Sequence, residues 1–177
     1  MRDVAVIGVG MHPFGRFDNV TIGDLSRIAI WNAIKDAQIP PRQIETAYVG
    51  NSLEGLMTGQ EGVRGQIIMR DAGFGGIAII NVENACASAS TAFRGAWLEV
   101  AAGVRDVALA VGVEKLYCND TRRSLKALAA DSELILGRLG YQFTAQYAMW
   151  LRKYMEKHGA NIDDLAQVVV KNSYNGS

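Results

Sequence analysis

The chain has 177 residues, 49% of them hydrophobic, and its 18 Lys and Arg balance 18 Asp and Glu. A formal net charge of zero, with no conspicuously basic face, offers no electrostatic footprint for nucleic acid or a membrane surface, and the length is that of one domain with a real core. Apolar runs stay short of the ~20 residues that span a bilayer and the N-terminus lacks a signal-peptide pattern, so cytoplasmic residence is expected.

Mean hydropathy is slightly positive at +0.06, which points to apolar surface covered by a partner and hence to an oligomer. Two cysteines, Cys86 and Cys118, are too few for a disulfide framework and lack metal-ligand spacing, so no metal is expected. Cys118 reads as an ordinary loop thiol.

Taken in order, Asp3 to Gly10 reads as a strand buried on both faces. The Gly8-Val9-Gly10 that closes it is a poor dinucleotide fingerprint, because Pro13 stands at the third glycine position and no helix starts there. Thr21 and Asp24 form a capping-box pattern for a helix carrying Leu25, Ile28, Ala29, Ala33 and Ala37 on one broad face, ended by Pro40-Pro41. Ala47 to Gly50 is a second strand, Leu53 to Gln60 a loop with two glycines, and Val63 to Ala72 a helix.

Gly76 to Val82 is a third strand, short and rich in β-branched residues. Ser88 to Ala102 then places Ala92, Phe93, Ala96, Trp97 and Val100 at helical spacing, with Gly103 as the residue past its end. Asp106 to Val113 is a fourth strand. Alternation of this kind predicts an α/β fold with a mainly parallel sheet and helices on both faces.

Cys86 falls between the third strand and its helix. A thiol at a helix N-terminus meets free N–H groups and the positive end of the helix dipole, which favour the nucleophilic thiolate. The same N–H groups can hold the oxyanion formed when a thiolate attacks a carbonyl. Small neighbours, Ala85, Ala87, Ser88 and Ala89, leave room for an acyl group. On local pattern alone, Cys86 is either this nucleophile or a small buried apolar residue.

Beyond Glu114 the character changes, and Thr121 to Ser132 shows no strand. Its basic residues Arg122, Arg123 and Lys126 are either a solvated face or a place for phosphates. From Tyr141 a helical face carries Phe143, Tyr147, Trp150, Leu151 and Tyr154 and stops at Gly159; Asn161 caps a last helix with Leu165, Val168 and Val169 expected inside. Neither His12 nor His158 has a spacing that marks a base or a ligand.

The stretch Glu83-Asn84-Ala85-Cys86-Ala87-Ser88-Ala89-Ser90, with Asp106 to Glu114 after it, resembles the nucleophile segment of thiolases. The N-terminal Val4 to Gly10 with Pro13 to Phe17 is similar to the archaeal and sterol-carrier-protein-type branch, as is Gly140 to Gln146, the start of that branch's loop domain, where Tyr141 and Phe143 depart from the commoner pattern. This resemblance implies a thiolase-like N-terminal α/β domain over 1–115, incomplete, and a partial helical loop domain over 116–177. In that loop domain Tyr141 and Phe143 would line a substrate tunnel, and Gly76 to Val82 would be the dimer seam.

As chemistry, the resemblance implies an acyl-CoA acyltransferase of the acetyl-CoA acetyltransferase kind. Cys86 is acylated by an acyl-CoA in a two-step ping-pong condensation or cleavage, with coenzyme A thioester as substrate and no cofactor. Thiolases draw a second cysteine, a Gly-His-Pro histidine and an Asn–His pair from their C-terminal half, together with a final strand of the first sheet. The sequence to Ser177 contains none of those motifs, so the expected partner is a chain carrying that half, or a homo-oligomer, and no activity is expected of this chain alone. Two other functions stay open: a non-catalytic structural subunit on a thiolase scaffold, and a ketoacyl-synthase-like condensing enzyme acting on carrier-protein substrates.

Overall fold

A computed structural model describes residues 1–130 and 134–177. They group into two compact units, Met1–Leu128 and Ala129–Ser177. Three strands, β1 (Thr46–Gly50), β2 (Ala78–Val82) and β3 (Ala108–Gly112), form a parallel sheet in the order β2-β1-β3. Thr46 pairs with Ala78 on one side and Ala108 on the other, and Gly50 with Val82 and Gly112. All three strands therefore end at one level, where their connecting loops gather.

Period-two alternation along β1 sends its residues to opposite faces. Ala47 and Val49 join Ile30 and Ile34 of α1 (Ile22–Ala37), Ile68 and Met69 of α3 (Arg64–Asp71) and Val111 of β3 in the main core. On the other face Tyr48 lies against Gly95 of α4 (Ser88–Ala101), where a Cβ would overlap its ring, and donates its hydroxyl to Glu99 at 2.8 Å. The expected α/β fold, parallel sheet with helices around it, is thus present.

Several expectations need correction. Residues 3–10 form no ladder with the sheet; Val9 N–H donates to Asp36 at 2.8 Å, and Gly8 and Gly10 press against the backbone of α1. An apolar cleft of about 600 Å³ separates this extended segment from β3, floored by residues such as Ala33 and Ala96. The deepest stripe of α1 is Ser26, Ile30 and Ile34, not the alanine face; Ser26 can be buried because its hydroxyl donates to Ile22 C=O at 2.7 Å. This helix stops at Gln38 in the left-handed region, before the prolines.

Leu53 to Gln60 holds a short helix, α2 (Glu54–Thr58), and the segment after Asp120 holds α5 (Thr121–Ala129). Leu53, Met57 and Ala127 close a small second core, with the Cys118 thiol partly buried against it. The carbonyl of Met57 accepts from Arg123, so the basic cluster is divided: Arg123 is structural, and Arg122 and Lys126 stay exposed.

In the second unit, α6 (Leu134–Arg138), α7 (Phe143–His158) and α8 (Ile162–Asn175) follow one another. Gly159 ends α7 at φ 68°, and Asn161 caps α8 by accepting from Asp163 and Asp164 N–H groups. Val168 and Val169 are exposed, contrary to the expectation from spacing, and so are Tyr147, Trp150 and Tyr154 of the aromatic stripe. Tyr141 and Phe143 meet edge to face, ring centroids 5.6 Å apart.

Candidate active site

Just past the carboxyl end of β2 the chain makes one turn of 3-10 helix, Ala85–Ala87, and enters α4. Cys86 sits in that turn with its thiol exposed, which removes the buried-residue reading. Ala85 adopts φ 45°, a left-handed conformation that costs an alanine about 1–2 kcal/mol. Such a strained turn persists only where its surroundings over-determine it.

The surroundings do so through side chains. Ser88, buried at the start of α4, accepts the Asn84 N–H and donates to Ala85 C=O, both at 2.8 Å. Glu83 accepts the Ala85 N–H at 2.7 Å and the Ser52 hydroxyl at 3.2 Å. Asn84 donates its amide to Thr91, one helical turn along, at 3.0 Å. No side chain caps α4; the Ala87 N–H goes to Asn84 C=O at 2.9 Å and the Ser88 N–H to Ala85 C=O, so the 3-10 turn itself leads into the helix.

Two glycines let the helix come so close to the sheet. A Cβ on Gly50 would stand 2.6 Å from the Ser88 carbonyl carbon and oxygen, and one on Gly112 would overlap Ala89. The N-terminus of α4 thus rests directly on the carboxyl ends of β1 and β3. Strand ends meeting a helix N-terminus are where open α/β sheets gather ligands.

Beside the turn lies a polar network that spacing alone does not reveal. Asn51, 4% exposed, donates to Val113 C=O at 2.9 Å and to Glu114 at 3.1 Å, and accepts from Arg64 at 2.9 Å. The other oxygen of Glu114 accepts the N–H groups of Ser52 and Leu53. Every group here joins segments more than ten residues apart or closes the β1 loop, so the network fixes that loop. Burial is the main cause that raises the carboxyl pKa of the adjoining Glu54, and the Glu114 charge adds to it; its bond from Thr58 and the Arg64 and Lys115 charges oppose the rise.

Of the expected site residues in the first unit, the structure brings Cys86 to the strand ends. His12 contacts its neighbour Pro13 and meets Phe17 edge to face, while His158 tilts on Tyr154 in the second unit. Within the first unit His12 is not hydrogen-bonded to Cys86, and among the described residues no group of three His, Cys, Asp or Glu could hold a metal. No described helix is long and apolar enough to cross a membrane. Of the side chains that support the turn, Glu83 and Ser88 carry one signal in the sequence, as polar residues flanking a cysteine at the end of an apolar strand, and Ser52, in the loop after β1, carries none.

Comparison with known proteins assigns this arrangement to a family. Residues 4–177 match the family described as Thiolase, N-terminal domain. The chain is 37% identical to acetyl-CoA acetyltransferase of Methanothermobacter thermautotrophicus, covering 100% of this chain and 46% of that protein. It is 37% identical to benzoylsuccinyl-CoA thiolase subunit BbsB of Thauera aromatica (97% and 43%) and 31% identical to human sterol carrier protein 2 (97% and 32%). Among solved structures, acetyl-CoA acetyltransferase from Syntrophomonas wolfei superposes with a TM-score of 0.50 at 26% identity, over 56% of this chain and 26% of that one. The chain spans less than half the length of these relatives. By its strand-turn-helix, its parallel sheet and this match over nearly its whole length, the chain belongs to the thiolase family and represents that family's N-terminal domain.

Proposed function

We propose that this chain supplies the nucleophile of a thiolase-type acyl transfer, with Cys86 as the residue that is acylated. The observation that carries this reading is an exposed cysteine on a strained turn, at an uncapped helix N-terminus, in a chain that matches the thiolase N-terminal domain. The Cys86 thiolate attacks the thioester carbonyl of an acyl-CoA, and the carbon–sulfur bond to coenzyme A breaks. Coenzyme A leaves with a proton, and the acyl group stays on Cys86 for a second substrate, a ping-pong sequence. The N–H of Cys86 itself, which no bond within the turn uses, stabilises the oxyanion in between.

A base within hydrogen-bond reach of the nucleophile is needed as well. We take it from the C-terminal thiolase half, carried by the remainder of the protein or by a second chain. One observation supports this: the relatives are more than twice as long as the matched region. Cytoplasmic residence and a homo-oligomer belong to the same reading.

The experiment is turnover of acetyl-CoA and acetoacetyl-CoA by the protein as isolated from its own cells, with and without Cys86→Ser. Loss of turnover with the assembly intact is expected. Unchanged turnover would leave a structural role for this chain, and acylation by a carrier-protein thioester but not by acyl-CoA would make it a carrier-dependent condensing enzyme.

A further inference from the structure

The nucleophile turn is held in a conformation that its own residues do not favour, and one exposed side chain holds it from outside. Ala85, immediately before Cys86, is left-handed at φ 45°. Left to itself, an alanine returns to negative φ, and the Cα–Cβ direction of the next residue moves with it. Ser88 bonds the turn to its own helix, and its contact with Gly50 sets the height of that helix on the sheet, but neither holds the Ala85 N–H itself.

Glu83 supplies that restraint. Its Oε1 accepts both the Ala85 N–H, at 2.7 Å, and the Ser52 hydroxyl, at 3.2 Å. Ser52 lies in the loop after β1, and that loop is rigid: Ser52 and Leu53 N–H groups donate to Glu114, and Ser52 C=O accepts from Arg64 at 2.9 Å. One carboxylate oxygen therefore ties the strained residue to the most thoroughly bonded loop at the strand ends. Apolar packing does not require a glutamate there, since Glu83 is exposed and belongs to neither core cluster.

Resting on the reading of Cys86 as the acylated residue, we propose that Glu83 is a positioning residue: through Ala85 and Ser52 it holds the Cys86 thiol in line with the acyl carbonyl. It touches no substrate. Its effect falls on the acylation step and not on acyl-CoA binding. A displacement of about 1 Å at a reacting group costs about 10²-fold in rate, and loss of the Glu83 tie has a cost of that order. An amide in its place still offers an oxygen to both donors, so charge is not the requirement.

The test is single-turnover acetylation by acetyl-CoA, followed by mass spectrometry of the Cys86 peptide, on the protein as isolated from its own cells. Glu83→Ala is expected to lower the saturating rate by about 10²-fold, with the half-saturating acetyl-CoA concentration changed by less than about twofold and the thermal midpoint unchanged. Glu83→Gln is expected to stay within about threefold of wild type. Wild-type rate in Glu83→Ala overturns the proposal while leaving the acylation reading intact. So does a Glu83→Gln variant as slow as Glu83→Ala. Should Glu83→Ala fail to fold, Ser52→Ala releases the same carboxylate from the loop, and an unchanged saturating rate there overturns the proposal. Wild type that takes no acetyl group at Cys86 overturns the acylation reading, and Glu83's role with it.

Discussion

Gly50 and Ser88 are in contact so close that a Cβ on the glycine would stand 2.6 Å from the serine carbonyl. The last residue of β1 therefore sets the height at which α4 begins, and with it the height of the cysteine turn. Gly50→Ala has to push backbone away from backbone, an overpacking that costs about 1–3 kcal/mol. A fall in unfolding free energy of that size, measured with urea, should accompany slower acylation of Cys86. Unchanged stability would mean that the helix slides without cost.

Burial raises the carboxyl pKa of Glu54, and the sign of its effect follows from linkage. A carboxyl whose pKa is higher folded than unfolded binds its proton more tightly in the folded chain, so stability is lost as pH rises through that window. Wild type should lose stability just above the ordinary carboxylate range. Glu54→Gln, which keeps an oxygen for Thr58, should flatten this slope, as thermal midpoints between about pH 4 and pH 7 would show. The same slope in both proteins would place the proton elsewhere.

At the start of α1, Thr21 and Asp24 bond each other's backbone N–H reciprocally, and the Asp24 carboxyl pKa is lowered first by the Thr21 hydroxyl, which donates to it at 2.7 Å, and then by the Thr21 N–H. Thr21→Ala should lower the thermal midpoint by about 2–4 °C at neutral pH. A lowered carboxyl stabilises above its unfolded value and ceases to do so as pH falls through the folded one. The gap between wild type and variant should therefore narrow in acid. A gap independent of pH would separate the cap from Asp24.

β2, like β3, is an outer strand of the described sheet and pairs only with β1 among the described residues, with Ala78 and Asn81 exposed along it. An edge strand of this kind is a template for pairing. Light scattering on the isolated protein, set against the mass of its full polypeptide, should count at least two copies of this chain per particle. A monomeric mass would remove β2 as a seam between copies.

The parts of the fold that periodicity reveals are those where one chemical pattern has one structural outcome. β1, β2 and β3 are short apolar runs bounded by polar residues or glycine, and α4 shows its spacing with Gly103 at φ 75° beyond its end. Residues 3–10 carry the same apolar pattern as a strand, but pattern encodes burial and not the identity of the pairing partner. The helix α2 is hidden by two glycines, and its stability comes from Leu53 and Met57 meeting Ala127 seventy residues on. Ser26 misleads because a hydroxyl satisfied by its own helix can replace an apolar side chain inside.

For the site, Cys86 is legible because a cysteine at a strand-to-helix junction is a local feature. Its supports are not. Glu83 bonds Ser52, 31 residues away, and Asn51 reaches Glu114, 63 residues away. Only the parallel registers of β1, β2 and β3 bring those loops together.

The central claim is that Cys86 accepts an acyl group from an acyl-CoA. Its most direct test is peptide mass spectrometry after brief incubation of the protein, as isolated from its own cells, with acetyl-CoA and no second substrate. The account predicts one acetyl group, on Cys86 and not on Cys118, removed when free coenzyme A is added. An unmodified Cys86, or a label on Cys118 instead, would contradict it.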